Sequence, residues 1–379
     1  MAAFDFETIT PAQAANFNAA ADSLTFQSAG ATGAMLTVAY LPASGATPEQ
    51  VAVTLGGQTV TFGAGLEGET GISFANGSLL FVGGPGGDIV AGTALADGLF
   101  GGLGDDAITA GDGNDLLQGN QGADALAGGD GNDVVYGGRD SDLIDVGGGA
   151  NFGQGNLGAD TVSAAAASGP NTLLGGQADD MIVGSGAADF LNGNLGSDAV
   201  SGGGGNDILR GEDGADTLEG GSGADTLDGG AGPDRFVFGV GSSDATLQGA
   251  DRIEGWSAED LIDVPGAGGV GALYMIPLTF DYDGGGYGGY GGMGGMGGMG
   301  GMGGMGGMGG MGQTVMPMTF ESALLQANAW MGIYPEYIVT AQLEGGVGVF
   351  VDSNGDRLAD LAFVLANANL ADVTGSLFV

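Results

Sequence analysis

The sequence predicts an all-β protein built around a parallel β-roll, and three observations lead to that prediction. Seventeen nine-residue blocks follow one another from Gly83 to Val237, with one two-residue slip after the ninth block. Nearly every block has Asp at its sixth position and a large apolar residue at its eighth. Glycine is concentrated in the first half of the blocks, and the whole chain contains 87 glycines.

Each half of a block predicts its own local structure. The block from Gly101 to Thr109 is a clear copy of the pattern G-G-x-G-x-D-x-U-x, where U is apolar. The glycine-rich half turns the chain, because glycine accepts positive φ angles without steric cost. The second half is a short strand whose apolar side chain points inward, since strand side chains alternate between faces. Two blocks make one coil, so residues eighteen apart stack at the strand spacing of about 4.8 Å.

The same pattern predicts a row of metal sites. Asp carboxylates that stack this closely repel one another unless a cation lies between them. Carboxylate and carbonyl oxygens are the ligands that Ca²⁺ takes, and a glycine-rich nonapeptide of this form is typical of calcium-binding parallel β-helices. The alternative is a glycine-rich solenoid without metal. The predicted ligands are the carboxylates of Asp88, Asp106, Asp115, Asp124, Asp133, Asp142, Asp160, Asp180, Asp189, Asp198, Asp207, Asp216, Asp225 and Asp234, helped by carbonyls of Gly102, Gly104, Gly111, Gly113, Gly129, Gly131, Gly203, Gly205, Gly221 and Gly223.

Two features should make the two sheets of the roll differ. Asn151 and Asn171 replace Asp in alternate blocks, and the slip near residues 164–174 falls beside them. The calcium row of that sheet is therefore predicted to be interrupted, while the row from Asp88 to Asp234 continues. The outward seventh positions of the same sheet form an apolar ladder, and such a patch marks either a contact or a surface covered by the chain's own terminal domains. The ladder comprises Gly98, Leu116, Val134, Phe152, Thr172, Phe190, Ile208 and Thr226.

These blocks resemble the RTX (repeats-in-toxin) β-roll of proteins exported by type I secretion. The segments that come after them, 234–238, 251–256 and 260–263, look like a serralysin-type C-terminal cap. The resemblance implies a secreted bacterial protein with an uncleaved C-terminal signal, handled by the type I secretion apparatus and located outside the cell or on its surface. The chain ends in the apolar Leu377-Phe378-Val379, although Ser376 stands where such signals often have an acidic residue. We expect no cleavable N-terminal signal peptide, because the first ten residues lack a basic and an apolar region.

Five domains are predicted along the chain: an N-terminal β-rich domain (1–82), the β-roll (83–237), the cap (238–283), a Gly-Gly-Met insertion (284–312) and a C-terminal β domain with the secretion signal (313–379). In the first, Thr10-Pro11 is typical of a helix start, and strands are expected at 36–40, 51–55, 59–62 and 78–82. Gly56-Gly57 and Asn76-Gly77 are typical of hairpin turns between them. A small antiparallel domain would result, which caps the roll or binds a neighbour.

The last two domains are less regular. The Gly-Gly-Met units are either a flexible linker or, because their period of three matches a polyproline-II helix, a stripe of methionines suited to adaptable contacts. Beyond them a helix is expected at 320–330, and strands at 337–343, 348–351 and 358–365. The loop 352–357 superficially resembles an EF-hand, but a hairpin turn explains it better because the Gly and distal Glu of that pattern are missing.

Composition excludes several functions. The formal charge is -41, with 46 acidic residues, five Arg and no Lys, so nucleic acid is excluded as a partner. No segment approaches the length of an apolar membrane helix, and we expect no membrane insertion. The chain lacks Cys and His, which removes thiol proteases, HExxH zinc proteases and Ser-His-Asp triads.

The function favoured by these observations is structural and not enzymatic. We expect a calcium-folded protein that forms a homo-oligomer or polymer as extracellular matrix, filament or surface layer. The alternative is a polysaccharide-active enzyme or a carbohydrate-binding protein, with cell-surface polysaccharide as its partner, since a carboxylate-pair glycosidase needs neither His nor Cys.

Overall fold

A computed structural model describes residues 2–18, 23–28, 30–41, 50–63, 72–239, 249–257, 259–264, 274–278, 323–324, 327–328, 337–343, 346–351, 359 and 361–366. The Gly-Gly-Met units, the loop 352–357 and the C-terminal segment 374–379 lie outside these residues. Within the described ranges, no helix is both long and apolar enough to cross a membrane.

The N-terminal part consists of two small sheets with different strand directions. Its elements are β1 (Ala3–Asp5), α1 (Pro11–Ala14), β2 (Ser23–Phe26), a 3-10 helix (Gly33–Met35), β3 (Thr37–Leu41), β4 (Gln50–Leu55), β5 (Gln58–Gly63) and β6 (Ile72–Phe74). The hairpin over Gly56-Gly57 is confirmed, because β4 and β5 are antiparallel neighbours and both glycines have positive φ. The other sheet, with order β1-β2-β6, is parallel, so this part is only half antiparallel.

The helix start predicted at Thr10-Pro11 is confirmed. Thr10 caps α1 through its side chain, and Gln13 completes a capping box by accepting from the Thr10 backbone N–H, 2.9 Å away. These two bonds satisfy donors that a helix end leaves open.

The hairpin predicted at Asn76-Gly77 is wrong. Gly77 has the positive φ of a turn residue, but the strands it joins lie in different sheets. The next strand, β7 (Leu80–Val82), pairs in parallel with β9 (Gly98–Leu103) of the roll, and all three of its residues are buried. Tertiary burial of this apolar strand therefore decides its partner, and the local turn chemistry does not.

Two parallel sheets form the roll, as the block phase predicts. One is ten-stranded and holds β8 (Ile89–Ala91), β10 (Ala107–Asp112), β12 (Ala125–Asp130), β14 (Leu143–Asp145), β16 (Thr161–Ser163), β18 (Met181–Val183), β20 (Ala199–Gly204), β22 (Thr217–Ser222), β24 (Arg235–Val237) and β26 (Leu261–Asp263). The roll strands of the other, fourteen-stranded sheet are β7, β9, β11 (Leu116–Gln121), β13 (Val134–Arg139), β15 (Phe152–Leu157), β17 (Thr172–Gln177), β19 (Phe190–Leu195), β21 (Ile208–Asp213), β23 (Thr226–Ala231) and β25 (Asp251–Glu254). The register joins residues eighteen apart, such as Leu116 and Val134.

The fourteen-stranded sheet continues past the roll into the C-terminal part. Its last four strands, in the spatial order after β25, are β30 (Leu361–Ala366), β29 (Gly346–Val351), β28 (Tyr337–Leu343) and β27 (Tyr274–Leu278). Strands β29 and β30 are antiparallel neighbours, so the loop between them joins a hairpin. Of the helix predicted at 320–330, only residues 323–324 and 327–328 are described, and these are helical.

The core of the roll is one cluster of inward-facing side chains from both sheets, most of them at eighth positions. Leu99, Leu117, Leu173, Leu191 and Leu227, among others, are fully buried between the sheets. The N-terminal part has a separate core, which includes three stacked rings, Phe6, Phe26 and Phe74. That core also takes in Phe100 from the outer surface of the fourteen-stranded sheet, so the N-terminal part covers the first coils of that surface.

Candidate calcium sites

The sixth-position side chains form two rows, one at each edge of the roll. We call the row that precedes the ten-stranded sheet the first row; it contains Asp88, Asp106, Asp124, Asp142, Asp160, Asp180, Asp198, Asp216, Asp234 and Asp260. The second row precedes the fourteen-stranded sheet and contains Asp97, Asp115, Asp133, Asn151, Asn171, Asp189, Asp207, Asp225 and Asp251. Almost all of these side chains are buried.

One oxygen of each carboxylate has a fixed structural task. The backbone N–H of Asp106 donates to Oδ1 of Asp124, and that of Asp115 donates to Oδ1 of Asp133, at 2.9 and 2.8 Å. The same bond recurs along both rows, always from one coil to the next. It runs across the slip as well, where Asp160 donates to Oδ1 of Asp180 at 2.8 Å. Oδ1 therefore sets the carboxylate orientation and leaves Oδ2 facing the turn of its own block.

Oδ2 is the atom that a cation would meet. It is buried and has no hydrogen-bond partner among the described residues in Asp106, Asp115, Asp124, Asp133, Asp142, Asp160, Asp180, Asp198, Asp207, Asp216 and Asp225. A buried carboxylate oxygen without a partner is costly, because nothing replaces the water that it lost. Buried oxygens without a hydrogen-bond partner recur at the same place in successive turns, which fits a cation that binds between the coils.

First-position glycines provide the space around Oδ2. A Cβ at Gly128 would lie 2.6 Å from Oδ2 of Asp133 and 2.5 Å from the carbonyl oxygen of Val146 in the next coil. The carboxylate and a backbone carbonyl thus converge on a place that only glycine leaves open. Among the described residues no three acidic side chains converge on one point, so most ligands of a calcium ion here must be carbonyl oxygens, which Ca²⁺ accepts.

The ten glycines predicted to assist all lie in these turns with positive φ. Gly102 and Gly104, for example, both have a φ of 103°, a conformation that glycine adopts without strain. At the second position the same conformation is also taken by Asn120, Asn156 and Asn194. Asparagine tolerates this region better than most residues, which explains why these blocks keep their turn without glycine.

Burial raises the pKa of the row carboxyls. The pKa of Asp142 is raised to about 8 by burial and, further, by the neighbouring charges of Asp124 and Asp160, despite the lowering effect of the backbone bond from Asp124. Burial likewise raises the pKa of Asp115 and of Asp180 to about 7. Without a cation, these positions therefore resist ionisation near neutral pH.

In some of the predicted ligands, Oδ2 already accepts a hydrogen bond from the chain. Oδ2 of Asp88 accepts the backbone N–H of Gly84 at 3.0 Å, and Oδ2 of Asp189 accepts from both the backbone N–H and the hydroxyl of Ser185. Asp234 accepts from Asp216 through Oδ1 at 3.0 Å, and burial raises its pKa to about 6.

Sequence reasoning missed that both rows continue past the repeats. Asp225 donates to Oδ1 of Asp251 at 2.9 Å, and Asp234 donates to Oδ1 of Asp260 at 3.0 Å. The signal was present, since Asp251-Arg252-Ile253 and Asp260-Leu261-Ile262 repeat the D-x-U half of a block. The glycine-rich half is absent before them, which hid the match.

Comparison with known families agrees with this geometry. A profile of the RTX calcium-binding nonapeptide repeat matches four segments, residues 82–117, 118–153, 166–200 and 201–236. The unmatched residues 154–165 include the two-residue slip. No curated protein matches the chain in a sequence comparison. The matches cover the roll and not the flanking parts, and the resemblance of 238–283 to a serralysin-type cap remains a prediction.

Proposed function

Since the central part of this chain is an array of RTX calcium-binding nonapeptide repeats, we propose that the protein is a secreted structural subunit that folds on calcium outside the cell and assembles with copies of itself. Repeats of this family bind Ca²⁺ at multiple sites. The observation that carries the proposal is a set of eleven buried carboxylates in the two rows, among them Asp106 and Asp115, whose Oδ2 has no hydrogen-bond partner among the described residues.

The chain cannot neutralise these rows by itself. Five Arg stand against 46 acidic residues, and the ion pairs of the described residues join Arg210, Arg235 and Arg252 to carboxylates outside the rows. An external cation that binds only the folded chain stabilises it by mass action. In a calcium-poor cytoplasm the same charges repel and keep the chain unfolded, which suits passage through a type I secretion apparatus.

The proposed ligands are the row carboxylates whose Oδ2 has no hydrogen-bond partner among the described residues, together with the carbonyl oxygens of their turns. The first row offers such atoms in seven coils in succession, from Asp106 to Asp216. Calcium bound along this row would tie each coil to the next, because each carboxylate already bonds the preceding coil through Oδ1. The roll would thereby become a stiff rod.

The surface proposed for self-assembly is the outer surface of the fourteen-stranded sheet. In β11, β13, β15, β17 and β19 the outward seventh and ninth positions carry no charged residue, although the chain as a whole is strongly acidic. Copies of so acidic a chain repel each other least where the facing surfaces are uncharged. The surface also continues from one that already buries an internal contact, since Leu116 packs against the N-terminal core.

Exposure of the ladder is smaller than the sequence suggests. Ninth-position residues of the same sheet lie against its rings: the rings of Tyr136 and Phe152 lie 5.6 Å apart, and the Arg210 guanidinium lies 5.7 Å from the Phe190 ring centre. Among the described residues, the contact of the N-terminal core with the ladder extends to Leu116. On the ten-stranded sheet, Leu143 and Met181 are more exposed, at 57% and 48%, and provide a matched comparison.

The experiment compares two double variants during calcium titration of the EGTA-treated protein. Folding is followed by far-UV circular dichroism, and assembly by light scattering and electron microscopy. We expect the parent chain and L143S/M181S to fold and then assemble reversibly, and F152S/F190S to fold without assembling. A parent chain that folds to a stable monomer and never assembles would contradict the structural role. Equal assembly by both double variants would contradict the surface.

A further inference from the structure

The middle of the second row is built differently from the turns on either side of it. In this row, the Oδ2 atoms without a hydrogen-bond partner among the described residues fall into two groups. Asp115 and Asp133 lie before the middle, and Asp207 and Asp225 lie after it. Between them lie three consecutive coils with Asn151, Asn171 and Asp189 at the sixth position. In each of these coils the chain itself supplies the partner that a cation would supply elsewhere.

Asn151 closes its turn with its own amide. Its Oδ1 accepts the backbone N–H of Asp133 at 2.8 Å, as every row residue does for the coil before it. This bond fixes the orientation of the amide, because only the oxygen can accept. The Nδ2 group therefore faces the turn, where it donates to the carbonyl oxygens of Gly147 and Gly148 at 3.3 and 3.0 Å. In this turn an N–H donor therefore lies where a cation would need an oxygen ligand.

Asn171 does the same one coil later. Its Oδ1 accepts the backbone N–H of Asn151 at 2.9 Å, which again orients the amide. Its Nδ2 donates to the carbonyl oxygen of Gly169 at 2.8 Å and to Oδ1 of Asp189 at 2.9 Å. One amide thereby satisfies both its own turn and the carboxylate of the following coil.

Ser185 completes the arrangement. Its backbone N–H and hydroxyl donate to Oδ2 of Asp189 at 2.7 and 2.9 Å. Ser185 lies at the second position of its block. In most blocks the residue at this position has a positive φ, as Gly102 and Asn194 do, whereas the φ of Ser185 is not positive. Thr93 in the first coil bonds both oxygens of Asp97: its backbone N–H donates to Oδ2, and its hydroxyl donates to Oδ1 at 3.1 Å. A hydroxyl residue at this position therefore closes the turn onto its Asp without metal.

The backbone that leads into these three turns also differs from that of regular turns. Val146 and Ala164, which directly follow β14 and β16, are buried in the core of the roll. The strands that lead into these three turns, β14, β16 and β18, are only three residues long. Their regular counterparts β10 and β12 continue through the start of the turn for six residues.

We infer that Asn151, Asn171 and the Ser185–Asp189 pair form a metal-free seam, which divides the calcium ions of the second row into two separate groups. The seam goes beyond the proposed function, because it concerns where calcium does not bind. It also makes the two edges of the rod unequal: one edge is tied by ions in each coil from Asp106 to Asp216, and the other is tied by side chains at its centre.

Matched pairs of substitutions in the full-length chain test the seam by counting bound ions. Asp189 and Asp207 are successive residues of one row, both are buried, and both accept a backbone N–H through Oδ1. We expect D207N to bind fewer calcium ions per chain than the parent in equilibrium dialysis, and D189N to bind as many as the parent. Equal losses in the two variants would overturn the inference.

A second pair decides the matter if D189N fails to fold in calcium. Asn151→Ala removes a residue of the seam, whereas Asp133→Ala removes its neighbour in a regular turn, and each variant loses the Oδ1 that accepts a backbone N–H from the preceding coil. The ion count should fall only in the second variant, and a fall in N151A would overturn the seam. Failure of the parent chain to bind any calcium is a different outcome, which would contradict the proposed function itself.

Discussion

Asp142 accepts the backbone N–H of Asp124 on its Oδ1 at 2.9 Å, while its Oδ2, on the same carboxyl group, is buried and has no hydrogen-bond partner in the part of the chain that the structure describes. One carboxylate thus performs two tasks: it joins two coils through the backbone, and it presents an oxygen to the space between them. This division separates what the chain does alone from what it needs calcium to do.

The D142N variant should separate these two tasks. The amide keeps an oxygen for the Asp124 N–H but places an NH2 donor where Oδ2 of Asp142 lies, as Asn151 does in its own turn. One site lost at a calcium concentration a hundredfold above its Kd would reduce the free energy of unfolding by about 2.7 kcal/mol. We expect the calcium midpoint of folding, measured by far-UV circular dichroism, to rise.

Asp213→Asn is the matched control for charge. Asp213 is exposed and lies outside both rows, so the control makes the same change in net charge and should leave the midpoint nearly unchanged. Equal shifts in the two variants would mean that net repulsion, and not a site, sets the calcium requirement.

Acid should stabilise the calcium-free roll. Burial raises the pKa of Asp106, Asp115 and Asp142 from 3.8 to about 6, about 7 and about 8. The folded chain therefore binds more protons than the unfolded chain over this range, and stability falls as the pH rises through these values. In EGTA we expect β structure to be greatest at acidic pH and to be lost toward neutral pH.

Calcium should reverse that dependence. Because a ligating carboxylate must be ionised, calcium and protons compete for it. The calcium midpoint should therefore rise as the pH falls, and binding at neutral pH should release protons that a pH indicator in weakly buffered solution detects. A midpoint that does not change with pH would argue against the row carboxyls as ligands.

Much of the roll can be predicted from sequence period alone. The pairing of Leu116 with Val134, and the assignment of Phe152 and Phe190 to one surface, need only the count of nine and the alternation of strand side chains. The break in the second row at Asn151 was also predictable, because the residue type itself changes. These features depend on local pattern, which one sequence displays in full.

Other features depend on which residues lie nearby in space. The role of Ser185 could not be assigned until the structure placed its hydroxyl 2.9 Å from Asp189, although hydroxyl residues at the second position of blocks were a usable signal at Thr93 and Ser185. Likewise, Asn76-Gly77 is a turn by local chemistry, but burial of β7 in the roll decides which strand β7 pairs with.

Phe100 should be essential to the joint between the N-terminal part and the roll. Its side chain is 1% exposed and packs in the N-terminal core with Leu80 and Val82. Phe100→Ala should lower the free energy of unfolding by about 3–5 kcal/mol, measured by chemical denaturation at fixed calcium. Ile89, which is 91% exposed on the other sheet, is the control, and Ile89→Ala should have an effect within about 0.5 kcal/mol. Similar effects of the two substitutions would show that the joint contributes little.

Val146 and Gly153 should be energetically coupled, because each departs from the block pattern in a way that compensates for the other. Gly153 is the one eighth position of the repeats without an apolar side chain, and a Cβ there would lie 2.8 Å from Cγ1 of Val146. Gly153→Val should overpack the core at a cost of about 1–3 kcal/mol. Val146→Gly should leave a cavity and cost a few kcal/mol.

In the double variant, the side chain added by Gly153→Val occupies the space left by Val146→Gly. The loss in free energy of unfolding should therefore be smaller than the sum of the two single losses by about 0.5–3 kcal/mol. Denaturation of the four chains at one calcium concentration gives this coupling. Val146→Gly combined with Leu227→Ala, far away in the same core, should be additive, which shows that the coupling is local. An additive result for Val146 and Gly153 would mean that the missing apolar side chain is tolerated for another reason, and that Val146 does not fill its place.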